Sequence, residues 1–161
     1  MTDVWVVNSS PLIVLGKAGA LALLPDLVPR LIVPAAVELE IQKGPPDDPA
    51  GHWLAGPGAS LVGADGPLPA SILNRKLGAG ESAVLAHALI DPGCEVIIDD
   101  LAARRAAAEL GIPFRGTLGV ILLARKRNLI TSAATLFDLV EEAGLYIAPG
   151  LRTNALALVG E

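Results

Sequence analysis

Residues 4–19 read VWVVNSSPLIVLGKAG, and the junction at Asn8-Ser9-Ser10 decides how the chain folds. Val4 to Val7 is an unbroken run of strand formers, the pattern of a strand buried on both faces. It stops on an Asn, two Ser and a Pro, residues that end strands and open helices. A helix with a Gly-containing break is then expected from Pro11 to Leu24. The succession repeats down the chain. A short strand at 31–33 leads into a helix, AAVELEIQ, which Pro34 opens at its first position. A further short strand is expected at 60–62, a short helix at 69–76 and a longer helix at 81–90. Then come a strand at 95–98, a helix at 100–110, a strand at 112–114 and helices at 118–126 and 133–143. From Tyr146 the chain is expected to start extended and end helical. Strand and helix alternating at this spacing call for parallel crossovers. The expected fold is therefore a three-layer α/β/α sandwich around a central, mainly parallel sheet.

The chain has 161 residues, which suits a single domain over 1–161. Apolar residues are 52% and charged residues 18%, enough to bury a large core and to exclude disorder as the main state. No run reaches the roughly 18 apolar residues of a membrane helix. The richest region, from Leu12 to Val33, is broken by Lys17, Pro25, Asp26, Pro29 and Arg30. MTDVW lacks the basic segment of a signal peptide, so a cytoplasmic protein without a membrane partner is expected. Cys94 is the only cysteine, which excludes an intrachain disulfide and reads as a small buried apolar residue. The Pro- and Gly-rich region 44–58 reads as a surface excursion. With 12 Lys and Arg against 17 Asp and Glu, the net charge is −5. A protein that coats nucleic acid by bulk charge is normally basic. Contact with nucleic acid must here be local, or be helped by metal ions.

The acids point to such ions. In parallel sheets ligands collect beyond the carboxyl ends of the strands, which singles out the junctions after Val7, Val33 and Ile98. Asp99-Asp100 follow a strand and start a helix; a helix cap explains one acid but not both. Glu81 shares a helix face with Val84, Leu85, Ala88 and Leu89, so its carboxylate points toward the interior. Glu40 lies near the inward stripe of Val37 and Ile41, and Glu38 falls on the other side. Several oxygen donors from different segments, with little His or Cys among them, select hard cations such as Mg²⁺ or Mn²⁺. His52, read as a loop residue, and His87, in the Glu81 helix, are expected to be incidental or structural. No phosphate-binding Gly-Lys-Ser/Thr loop, GxGxxG or GxSxG is present.

VVNSSPLIVLGKAG, VPAAVELEI, GAGESAVLAHAL and VIIDDLAARRAAAELGIPFRGTLGVILLARKRNLI together resemble the PIN-domain superfamily, near toxin ribonucleases of the VapC type. The likeness covers most of the chain. It implies metal-dependent cleavage of RNA by a metal-activated water, with Mg²⁺ or Mn²⁺ as cofactor. It also implies a homodimer and, for toxin members, a cognate antitoxin. Carried over by position, the catalytic set is Asn8, Glu40, Glu81, Asp99 and Asp100. Of these, Asn8, Glu40, Glu81 and Asp100 are the expected metal ligands, with Asp99 beside them. Ser9, Ser10 and Thr117 are expected to support the site, and Arg104, Arg105 or the 125–127 basic triplet to hold phosphates. That triplet reads more readily as a solvated helix end complementing the helix dipole. The family's first acid is normally Asp, and this chain has Asn8. An amide oxygen can ligate a metal but carries no charge and cannot act as a base. The alternative is a catalytically weakened PIN-like module that binds nucleic acid or protein. A flavodoxin-like or phosphatase-like enzyme fits the layers but lacks a nucleophilic Asp after the first strand.

Overall fold

The computed structural model describes residues 2–161; Met1 lies outside them. The strands are β1 (Val4–Val7), β2 (Arg30–Pro34), β3 (Val62–Gly63), β4 (Cys94–Ile97) and β5 (Phe114–Arg115). The helices up to β4 are α1 (Ser9–Lys17), α2 (Leu23–Leu27), α3 (Ala35–Gln42), α4 (Pro49–Ala55), α5 (Ala70–Leu73) and α6 (Ala79–Ile90). After β4 come α7 (Leu101–Glu109), α8 (Thr117–Lys126), α9 (Ala133–Glu142) and α10 (Pro149–Ala157). All described strand pairs are parallel, in the order β3-β2-β1-β4-β5, and helices flank the sheet in the expected three-layer sandwich.

The strand order positions the site. The chain begins at the centre in β1, winds outward through β2 and β3, then crosses back to β4 and β5 on the other side. The winding direction therefore reverses between β1 and β4, and beyond the carboxyl ends of two such strands a crevice opens. The register Val7↔Ile97 sets the ends of these strands level.

Burial explains why the central run is so apolar. Trp5, Val6 and Val7 are fully shielded from solvent, as are Val33, Val96 and Ile97 in the neighbouring strands. Each such side chain contributes about 1.5–3 kcal/mol relative to exposure. Leu12 and Leu15 of α1, Leu85 of α6 and Ile121 of α8 close over the sheet. No helix among the described residues is long and apolar enough to cross a membrane.

The excursion expected over 44–58 contains helix α4, so His52 lies in a helix and not in a loop. Asp48 caps that helix, its Oδ1 accepting from the Ala50 amide at 2.9 Å, and Pro49 takes the first helical position. Pro34, expected as the first residue of a helix, instead ends β2 and caps α3. The last strand is shifted from 112–114 to Phe114–Arg115 because the Ile112 amide is bonded to the Ala107 carbonyl at the end of α7.

Candidate metal centre

Asn8 is the first residue beyond β1 and caps α1 in an extended conformation. Its amide donates to the Ile97 carbonyl at 3.0 Å, tying it to the end of β4. The side chain is 1% exposed. Its Nδ2 donates to Glu81 Oε1 at 3.3 Å, while its Oδ1 is buried without a hydrogen-bond partner. A buried acceptor without a donor costs about 1–3 kcal/mol, which a cation or an ordered water would offset.

Glu40, on the last turn of α3, is fixed from two sides. Ser9 Oγ donates to its Oε2 at 3.0 Å and the Gly80 amide donates to its Oε1 at 2.7 Å. Glu81, in the first turn of α6, is half-buried against Asn8 while Val84 and Leu85 on the same face are fully buried. Asn8–Glu81 and Ser9–Glu40 thus form two neighbouring hydrogen-bonded pairs that join the start of α1 to α3 and α6.

Gly80 makes this arrangement possible. A Cβ there would stand 2.6 Å from Glu40 Oε2, and one at Gly78 would collide with Glu81 Oε2. Glycines at both positions let two carboxylates approach the start of a helix, where unpaired amides and the helix dipole favour negative charge. The sequence reading missed the Gly80 amide as a site group; glycines just before an inward-facing Glu were the available signal.

The paired acids after β4 separate. Asp99 is half-buried and accepts from the Thr117 amide at 2.8 Å and from Thr117 Oγ1 at 2.6 Å. Thr117 is itself fully buried at the start of α8. Asp100 is exposed and caps α7, its Oδ2 accepting from the Ala103 amide at 2.8 Å. Ser10 is half-buried in the first turn of α1.

Asp99 also lines a cleft of about 510 Å³ with Arg104, Arg115, Leu118 and Tyr146. The Arg104 guanidinium lies 5.2 Å from the centre of the Phe114 ring, and its Nε is buried without a partner. Arg115 is held by a two-point pair with Glu95, at 3.0 and 3.4 Å. In the basic triplet, Arg125 pairs with Glu161 and Arg127 donates to the Leu27 carbonyl, so these arginines serve the ends of helices.

Glu40, Glu81 and Asp99 all stand at the carboxyl edge of the sheet, but their oxygens are not gathered tightly. Among the described residues, the three His, Cys, Asp or Glu side chains whose ligand atoms lie within 4.8 Å of one another are His87, Asp91 and Cys94, beside the amino end of β4. Spacing between like charges is expected without a counter-charge between them. The donors of this acidic edge, Asn8, Glu40, Glu81 and Asp99, are carboxylate and amide oxygens, the set that suits Mg²⁺ or Mn²⁺. The unpartnered Asn8 Oδ1 fits such an ion as well.

No curated protein gives a significant match to the chain. Residues 4–161 match the family model described as DUF3368, a PIN domain. With nearly the whole sequence covered, and with acidic side chains collecting where its central strands end, the chain belongs to the PIN-domain family.

Proposed function

We propose that this PIN domain is a metal-dependent ribonuclease. The observation that carries the reading is the buried, unpartnered Oδ1 of Asn8 beside the Glu81 carboxylate at the switch point of the sheet. Glu40, Glu81, Asn8 and Asp99 hold the ion. Asp99 is taken as the ligand in preference to Asp100, because it is half-buried and held in place by Thr117 whereas Asp100 is exposed. When bound, Mg²⁺ or Mn²⁺ supplies an activated water and neutralises the charge of the phosphodiester. Ser9 and the Gly80 amide orient Glu40, and Thr117 orients Asp99. Arg104 holds a phosphate at the mouth of the cleft that Asp99 lines. The toxin role, with a cognate antitoxin, a homodimeric state and a cytoplasmic setting, extends the same proposal on the strength of the resemblance.

Asn8 favours a second reading. Its Nδ2–H already satisfies one Glu81 oxygen without a metal, as a module that only binds nucleic acid or protein requires.

Cleavage of a labelled structured RNA in Mn²⁺ separates the two. The nuclease reading expects Glu81→Gln and Asp99→Asn each to slow cleavage on the order of 100-fold. Asp100→Ala should retain the rate and lose about 0.5–2 kcal/mol of stability with its cap. Wild-type rates in both Glu81→Gln and Asp99→Asn would remove this site from the activity. RNA binding without cleavage in Mg²⁺ or Mn²⁺ would favour the binding module.

A further inference from the structure

At the opposite end of the sheet from the acidic edge, α6 ends and β4 begins. His87 and Asp91 are four residues apart, so they share one face of the final helical turn. The Asp91 amide still bonds to the His87 carbonyl at 2.9 Å, which keeps both in helical register. Asp91 is followed by Pro92 and by Gly93, whose φ of +102° suits a residue without Cβ. That turn brings Cys94, the first residue of β4, back beneath the helix end. Nδ1 or Nε2 of His87, a carboxylate oxygen of Asp91 and Sγ of Cys94 consequently all lie within 4.8 Å of one another.

We propose that His87, Asp91 and Cys94 form a second metal site, a three-ligand site for Zn²⁺ with the fourth position left to water. An imidazole nitrogen, a carboxylate oxygen and a thiolate sulfur make the mixed set of a borderline ion and a poor one for Mg²⁺. Zinc bonds of roughly 2.0–2.3 Å in a tetrahedron separate ligands by about 3.3–3.8 Å, within the span these atoms occupy. The charges balance, since a thiolate and a carboxylate neutralise a divalent ion. The ion also sits where the carbonyl end of a twelve-residue helix favours positive charge. Burial differs as a clamp requires. Cys94 is 2% exposed, whereas His87 and Asp91 are half-buried and reachable from solvent. Arg30 stands 4.0 Å from Asp91, with the two side chains 64% and 47% exposed, a contact too loose and screened to withhold the carboxylate. Without metal the thiol keeps its proton, pushed up to about 11 first by burial and then by Asp91. The bound ion fastens the end of α6 to the start of β4. Neither His87 nor Cys94 has a role at the acidic edge.

The chelator-treated full chain, titrated with Co²⁺ as a spectroscopic stand-in for Zn²⁺, tests the site. One equivalent should develop a thiolate-to-cobalt charge-transfer band and intense tetrahedral visible bands, bleached by Zn²⁺ but not by Mg²⁺. Cys94→Ala should abolish the charge-transfer band. His87→Ala and Asp91→Asn, half-exposed positions whose folding is checked by circular dichroism, should weaken Zn²⁺ binding at least tenfold. Both should retain Mn²⁺-dependent cleavage of RNA. An oxygen-only cleft cannot give a sulfur band, so this result is independent of the nuclease assay. Co²⁺ bound without that band, or wild-type Zn²⁺ affinity in folded His87→Ala, would overturn the site.

Discussion

Asn8 presents a side-chain donor to the Glu81 carboxylate where the family's usual Asp would present an acceptor. Its Nδ2–H stands 3.3 Å from Glu81 Oε1, and its own oxygen has no donor. Substituting Asn8→Asp swaps that donor for an anion against an anion. Without metal, the variant should lose roughly 1–3 kcal/mol, the cost of a buried polar pair left unmatched. For a domain of this size each kcal/mol corresponds to about 2–4 °C in melting temperature. With Mn²⁺ the sign reverses, because the added charge is an added ligand. Calorimetric affinity for Mn²⁺ should rise roughly tenfold or more, equivalent to about 1.4 kcal/mol, and the melting deficit should close as the ion is added. If stability falls and Mn²⁺ affinity does not change, residue 8 lies outside any metal shell. Single residues also show where the sequence runs out. Glu81 could be read as inward-facing because its helix face carries Val84 and Leu85. The different settings of Asp99 and Asp100 could not be read, because that of Asp99 is made by an amide and a hydroxyl of Thr117, 18 residues away.

Helix ends show the same division between local and distant partners. The start of α4 was legible in retrospect: Asp48-Pro49 is a cap followed by a residue pre-set for the first helical position. Its Pro- and Gly-rich flanks hid it. The start of α9 was legible only in part. Ser132 accepts from the Thr135 amide at 3.1 Å, as a local cap should. Two more amides, those of Ala133 and Ala134, are satisfied by Glu161 at 2.9 and 3.0 Å, with Arg125 on the same carboxylate. No local pattern announces a cap supplied from beyond α10. Those contacts, led by the Ala134 and Ala133 amides, hold the Glu161 carboxyl down to about 2, from an ordinary value of 4.5. A depressed folded-state value means that the contribution to stability is complete above about 4.5 and disappears as pH falls toward about 2. The melting temperature of the native chain should therefore exceed that of Glu161→Gln near neutrality, and the gap should narrow through that window. Parallel curves from pH 6 to pH 2 would mean that the charge of Glu161 does not support α9. The comparison must be a difference, since other carboxylates titrate in the same range.

Across the whole molecule, the strand order and the charge distribution together limit how the proposed ribonuclease would bind RNA. The apolar runs made the parallel layers legible, because a strand covered on both faces has no polar alternation to obscure it. The order β3-β2-β1-β4-β5, which brings the ends of β1 and β4 together, emerges only in the folded chain. So does the pairing of the cationic surface. Arg115 is engaged by Glu95, Arg125 by Glu161 and Arg127 by the Leu27 carbonyl, whereas Arg104 lines the cleft of Asp99 with its guanidinium over the Phe114 ring. With a net charge of −5, a wide electrostatic contact with the phosphate backbone is not available. Binding through about two phosphates, Arg104 with exposed Arg105 beside it, gives a salt slope near −1.4 for a single strand. Anisotropy titrations of a single-stranded RNA with the cleavage-impaired Glu81→Gln protein across a KCl series would measure it. Arg104→Ala should flatten the slope by about 0.7, with folding checked by circular dichroism because the side chain is half-buried against Phe114. A slope of about −5 or steeper would place the RNA on a broad basic face elsewhere. An unchanged slope in Arg104→Ala would remove that residue from the phosphate path.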